Sequence, residues 1–159
     1  AIRSKPAAHE RVIATPITQA EDWLVAAPAL FKERPAPQHV SELKDWPCIA
    51  NSHFNNPCSW QFDHIEQPVQ IHSPLQVNDY QLIRNLALAG AGIARLPSYL
   101  LGDDLAQQKL VRLLPAAKST RHELYLVYPP LTPQPAKVRV MIAFLREWFA
   151  QPVPNSVKD

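Results

Sequence analysis

The run from Asn78 to Pro115, NDYQLIRNLALAGAGIARLPSYLLGDDLAQQKLVRLLP, most constrains what this chain can fold into. Asn78 stands where a residue caps a helix, and Gln81 follows three residues later, where a side chain reaches back to the cap. Leu82, Leu86 and Ala89, with Ile83, Ala87 and Gly90, then recur at helical spacing. This predicts a helix over 79–90 that stops at Gly90-Ala91-Gly92, because glycine tolerates the left-handed turn that ends a helix. Ile93 to Leu96 reads as a short strand closed by Pro97, Ser98 to Leu105 as a short helix, and Lys109 to Leu114 as a strand closed by Pro115. Helix, strand, helix and strand in so short a run imply crossover connections, and therefore parallel strands.

Composition narrows the choice without deciding it. A chain of 159 residues buries roughly 70% of its unfolded surface, enough for a true core. The formal net charge of +2 is too small to argue for nucleic-acid or membrane binding by this chain itself. No apolar run approaches the length of a membrane span, and no secretory signal opens the chain. The start, Ala1-Ile2-Arg3, lacks Met, which fits a domain of a longer protein, a cleaved fragment or a mature secreted protein. The 17 prolines stand mostly at the ends of apolar runs, where they end strands and start helices, rather than in a disordered tract. The exception is 129–135, a stiff connector.

The remaining elements follow in order. Ala1 to Arg3 reads as the end of a strand, Arg11 to Ile17 as a loosely alternating one, and Trp23 to Ala27 as a stronger one closed by Pro28. Ala29 to Glu33 is a short helix, Val40 to Leu43 a helical turn, and Cys48 to Ala50 a strand. A polar loop fills 51–59. Residues 60–62 and 69–71 alternate and predict a hairpin. Residues 124–128 form a strand, and 136–150 an amphipathic helix with Val138, Met141, Ile142, Leu145, Trp148 and Phe149 on its apolar face. Residues 151–159 read as a frayed tail.

Catalytic signatures are missing. There is no Gly-x-Ser-x-Gly elbow, no phosphate-binding loop and no His-Glu-x-x-His; Arg95 stands where a dinucleotide loop needs its third glycine. Cys48, His53, Cys58 and His64 are the one cluster of metal-ligand types. Their spacing is not a zinc pattern, and two reduced, partly buried thiols are the plainer reading. Asp103-Asp104 reads as a solvated turn, since neighbours on a helix face different ways. Trp46 and Trp60 read as packing residues, with ligand stacking as the alternative for Trp60. Arg95 is unusual inside an apolar strand: it points to solvent, or into a cleft as an anion partner.

The order Asn78-Asp79, Leu88-Ala89-Gly90-Ala91-Gly92-Ile93-Ala94, Leu96-Pro97, Lys109-Leu110-Val111 and Leu114-Pro115 resembles the effector-binding domain of LysR-type transcriptional regulators. The resemblance implies an α/β, two-lobed type 2 periplasmic-binding-protein-like fold with one lobe complete and one partial. Residues 1–22 would belong to partial lobe I and 23–28 to a hinge strand. Residues 29–121 would form lobe II, 122–151 the second hinge strand and the helix returning to lobe I, and 152–159 a tail. It further implies a cytoplasmic sensor, not an enzyme, with no cofactor and no membrane partner. Such a domain works as a homodimer or higher homo-oligomer and reaches DNA only through a winged helix-turn-helix upstream of Ala1. Some peroxide-sensing members use two cysteines in this lobe, but Cys48 falls at the start of a strand rather than in the loop after it. A small polar or anionic effector would sit between the lobes, at the ends of the strands. Arg3 and Ser4, then Asn51, Ser52, His53 and Phe54, then Asn78, then Arg95 and Pro97 would meet it there. A periplasmic solute-binding protein shares the fold and is the alternative reading; an enzyme built on the same fold is a weaker one.

Overall fold

A Cβ at Gly92 would stand 2.6 Å from the carbonyl oxygen of Pro47. Only glycine allows the two strands that begin there to lie side by side. The computed structural model describes residues 1–4, 11–119 and 121–150. In chain order its strands are β1 (Ile2–Arg3), β2 (Ile13–Ala20), β3 (Asp22–Ala26), β4 (Pro47–Asn51), β5 (Ser59–Trp60), β6 (Val69–Gln70), β7 (His72–Val77), β8 (Ile93–Pro97), β9 (Val111–Leu113) and β10 (His122–Tyr128). The α-helices are α1 (Tyr80–Leu88), α2 (Gly102–Ala106) and α3 (Ala136–Ala150), and 3-10 turns occupy Pro28–Phe31, Val40–Asp45 and Ser98–Leu100. Two compact units result: Ala1–Ala20 with Arg121–Asp159, and Glu21–Thr120.

The larger unit is built on a five-stranded sheet in the order β7-β4-β8-β3-β9. β4 runs parallel to both β7 and β8, while β3 runs antiparallel to β8 and to β9. A crossover from β7, a strand not expected from the sequence, runs through α1 to β8, with β4 between its strands. The crossover from β8 through α2 does not bring β9 to the side of β8, because β3, from much earlier in the chain, lies between them. Alternation along the strands divides the core. Cys48 and Ala50 face one side with Leu24, Ala26, Trp46, Trp60 and Phe62. Ile49, Ala94 and Leu96 face the other with Val25, Ile83, Ala87 and Leu101. Both α1 and α2 cover the second side. The first is covered by the Val40–Asp45 turn and the short β5–β6 hairpin.

Several local expectations shift. Asp79, not Asn78, caps α1: its side chain accepts from the Leu82 N–H at 2.8 Å, and Asn78 lies exposed outside the helix. Gly90 ends the helix in the left-handed region, with φ +77. The hairpin is only two residues long on each side, pairing Ser59 with Gln70 and Trp60 with Val69. β7 has no apolar alternation to reveal it; it is an edge strand, where Pro74 fits. Asp103 is exposed, but Asp104 is not a solvated turn residue. It is 3% exposed, and its carboxylate takes both Arg84 Nε (2.5 Å) and Nη2 (2.8 Å). The pair ties α1 to α2, a tertiary contact that adjacency in sequence does not reveal.

In the smaller unit β10 pairs antiparallel with β1 on one side and β2 on the other. β2 is an edge strand and carries Pro16. On α3, Val138, Ile142, Leu145 and Phe149 are half-buried, while Val140, Met141, Phe144 and Trp148 are exposed at 54–69%. An apolar cavity of about 360 Å³ opens among Ile2, Leu126, Tyr128, Val138, Met141 and Ile142. This unit therefore presents a sizeable apolar surface. The tail at 152–159 lies outside the described residues.

Three substitutions test this packing. Gly92→Ala is expected to cost about 1–3 kcal/mol, because the new methyl meets backbone that cannot move aside. Arg84→Ala is expected to cost about 3 kcal/mol by stranding a buried carboxylate, whereas Asp103→Ala costs far less. Urea unfolding of the three variants, followed by circular dichroism, reads the differences.

Candidate functional site

The C-terminal ends of β4, β7 and β8 share one edge of the larger sheet with the start of β3. Register explains what gathers there. Leu24 pairs with Arg95 and Asp22 with Pro97, so Asp22 and Arg95 stand diagonally across the β3–β8 ladder on the same face. That is also the face of Ile93, Leu24 and Trp60. Arg95 Nε lies 3.8 Å from Asp22 Oδ2, and the two side chains are 16% and 4% exposed. This is an ion pair longer than a hydrogen bond. Arg95 also lies 5.3 Å from the Trp60 ring centroid and 6.0 Å from that of Phe54, within cation–π range. Arg95 is thus turned inward, and the solvent-facing alternative does not hold. Trp60 is buried and stacks on Arg95 from within the core.

Asn51 ends β4 and is almost buried; its Oδ1 accepts from the His53 N–H at 2.9 Å, and its carbonyl accepts from the Phe54 N–H at 3.3 Å. The Ser52 N–H donates to the Val77 carbonyl at 3.0 Å, joining the loop to the end of β7. The Asn51 side chain also lies near the Tyr80 hydroxyl. Burial first, then the Asp22 charge and Tyr99, push the Tyr80 hydroxyl above its usual range, against the opposing pull of Arg95 and Asn51. Burial and then Asp22 push Tyr99 the same way. Both hydroxyls therefore stay protonated near neutral pH. Burial lowers the Arg95 pKa, and Asp22 and then Tyr80 oppose that shift. The guanidinium stays charged, since such a group starts above 12.

Of the residues expected from the sequence, the structure brings Asn51, Phe54 and Arg95 into this cluster, with Ser52 and His53 in the same loop. Pro97 is buried opposite Asp22. Asn78 lies exposed just before α1. Arg3 and Ser4 are exposed at the end of β1, in the other unit. Asp22, Tyr80 and Tyr99 were not expected. The acidic residue opening an otherwise apolar strand was the one available sign of Asp22; nothing local marks the tyrosines.

The cysteines lie away from this arrangement. Cys48 is fully buried in the core, its Sγ 3.6 Å from the Leu43 carbonyl, while the Cys58 Sγ accepts from Gln76 Nε2 at 3.6 Å. Burial, with a smaller contribution from Cys58, pushes the Cys48 thiol up to about 12. Among the described residues, no three His, Cys, Asp or Glu side chains gather as a metal set.

The whole span of residues 1–150 matches the family model described as the LysR substrate binding domain. The chain belongs to the LysR family. It is 30% identical over 135 residues to the HTH-type transcriptional regulator DmlR of Escherichia coli (strain K12), covering 83% of this chain and 44% of that protein. It is 31% identical over 125 residues to PtxR of Pseudomonas aeruginosa, covering 77% of this chain and 40% of that regulator. This LysR domain thus spans less than half the length of these relatives. In fold it superposes on the regulatory domain of CrgA, a LysR-type transcriptional regulator from Neisseria meningitidis, with a TM-score of 0.84 at 24% identity, covering 94% of this chain and 74% of that one. The two-lobed α/β architecture of LysR regulatory domains, like that of periplasmic binding proteins, is therefore the fold of this chain. No described helix is long and apolar enough to cross a membrane.

Thiol chemistry gives a test within this LysR domain. In the folded protein at pH 8, iodoacetamide is expected to leave Cys48 unmodified, and to label it once urea unfolds the chain. Mass spectrometry of tryptic peptides reads this directly. Because the folded thiol titrates near 12 and the unfolded one near 9.0, its contribution to stability is complete below about pH 9 and falls as the pH rises toward 12.

Proposed function

We propose that this domain senses a small polar or anionic metabolite for a cytoplasmic LysR-type transcription regulator, binding it without converting it. The observation that carries the reading is Arg95: a largely buried guanidinium at a sheet edge, held by aromatic rings and offset from its acidic neighbour by 3.8 Å. Such a group offers forked N–H donors that suit a carboxylate. Tyr80 lies near it, with Asn51 and Tyr99 beside Tyr80, all neutral polar groups; among the described residues here none is an activated nucleophile. Ser52, His53 and Phe54 line the same loop. Arg3, Ser4, Asn78 and Pro97 remain in the proposed contact set through the family resemblance.

DNA binding in this reading belongs to a winged helix-turn-helix elsewhere in the full-length regulator. The hinge strands are proposed at 23–28 and at the start of 122–151, flanking lobe II at 29–121, with 1–22 and the rest of 122–151 in lobe I. Self-association as a homodimer or larger homo-oligomer is part of the proposal. The exposed Val140, Phe144 and Trp148 of α3 support it, since a run of large apolar side chains in water is normally covered by protein.

In the full-length regulator, Arg95→Ala is expected to raise the effector concentration for half-maximal transcriptional response by about tenfold or more, the scale of one lost charged hydrogen bond. Reporter transcription across an effector titration measures it, with Arg3→Ala and Ser52→Ala beside it. An unchanged response in all three variants would sink this placement of the site. Sedimentation of the full-length protein as a monomer at micromolar concentration would separately contradict the oligomer.

A further inference from the structure

The Arg95–Asp22 pair does more than offer a cation. Asp22 is 6% exposed, and its backbone is pinned by one side chain: Ser119 Oγ accepts from the Asp22 N–H at 3.2 Å and donates to the Asp22 carbonyl at 2.7 Å. Its backbone is thereby fixed, and its side chain, 4% exposed, is packed beside Arg95. Together the two side chains are electrically neutral. A plain carboxylate that took Arg95 would bring a second negative charge beside a fixed, buried one, and like charges at such range repel. A ligand that gives Asp22 a donor at the same time avoids that cost. A carboxylate has about four acceptor sites on its two oxygens, so Asp22 can accept from a ligand as well as from protein.

We infer that the ligand is a carboxylate bearing a hydroxyl or ammonium group on the carbon next to its carboxyl, with Arg95 taking the carboxylate and Asp22 the neighbouring donor. This rests on the anion-site reading given above and narrows it. Groups on adjacent carbons match two partners that stand 3.8 Å apart. The Tyr80 and Tyr99 hydroxyls, kept protonated by burial and by Asp22, add donors to the carboxylate. Trp60, buried behind Arg95, fixes the guanidinium; Phe54 and Tyr99, 41% and 50% exposed, offer ring faces to the ligand's carbon skeleton. A site made to accept a donor rejects the analogue that lacks it far more strongly than an apolar pocket rejects a missing methylene.

Isothermal titration of the full-length regulator tests this with two matched sets: propionate against lactate and alanine, and succinate against malate and aspartate. The expected result is that, in at least one set, a hydroxy or amino acid binds about tenfold or more tightly than its unsubstituted parent. Which substituent wins separates a hydroxyl from an ammonium ligand. Asp22→Asn should erase that preference, and Arg95→Gln should weaken every acid. Equal affinity of the parents and their substituted partners in both sets overturns the inference, while the anion site stands if Arg95→Gln still weakens binding. Binding indifferent to Arg95→Gln overturns the anion site itself, and no binding of any probe to the wild type overturns both. Should Asp22→Asn fail to fold, as thermal unfolding would reveal, the wild-type comparison alone decides.

Discussion

Everything in the larger unit depends on how closely β8 approaches β4. Gly92 lies against the Pro47 backbone at a distance no side chain tolerates. That contact lets Ile93 and Ala94 pair with Cys48 and Ile49, and the alternation of β8 is then set. Ala94 and Leu96 must face α1, which leaves Ile93 and Arg95 for the opposite side. β3 pairs with the free edge of β8 in the one register that buries Val25 under α1. The same register brings Asp22 to the corner beside Arg95. A backbone contact at one end of the strand thereby determines which charges meet at the other. A one-residue slip would turn Arg95 into the apolar layer beneath α1 and Leu96 out of it.

The elements that could be read from sequence are those whose local pattern equals their tertiary role. α3 shows an apolar stripe because one face packs on a sheet, and its bounds agree with the expected 136–150, although Met141 and Trp148 of that stripe are exposed. β4 is mostly apolar, and β8 is apolar except for Arg95, because both their faces are covered. β7 was invisible for the opposite reason: as an edge strand with mostly exposed side chains, it has neither alternation nor a continuous run. The helix cap was displaced by one residue because Asn and Asp cap equally well; the extended backbone of Asp79 decides the matter, and no composition rule could.

The site was less legible than the fold, and for a related reason. Arg95 could be noticed because a charge interrupts an apolar strand, but its direction depends on the face that Gly92 and Pro47 impose. Asp22 is distant in sequence and meets Arg95 only through the β3–β8 register. Tyr80 and Tyr99 resemble any tyrosine at the start of a helical turn. Family resemblance supplied the loop at 51–54; it said nothing of the acidic partner. Asp104 makes the same point in structure rather than function. A pair of adjacent aspartates reads as solvent-facing until Arg84, on another helix, claims one of them.

The neutral sum of Arg95 and Asp22 then has a consequence for how such a domain can respond to a ligand. A lone buried cation would bind any small anion, including inorganic ones that are always present, and a sensor built that way would be permanently occupied. A buried carboxylate beside it raises the cost of every anion that brings no donor of its own, since Ser119 holds the Asp22 backbone and the side chain is packed at 4% exposure. In the proposed site, discrimination would then arise from repulsion of the wrong ligand as much as from attraction of the right one. Since Asp22 is also the first residue of β3, a ligand that engages its carboxylate acts directly on the end of that strand. Recognition and any strand displacement that follows would then draw on one and the same pair of side chains, with no relay of intermediate residues between them.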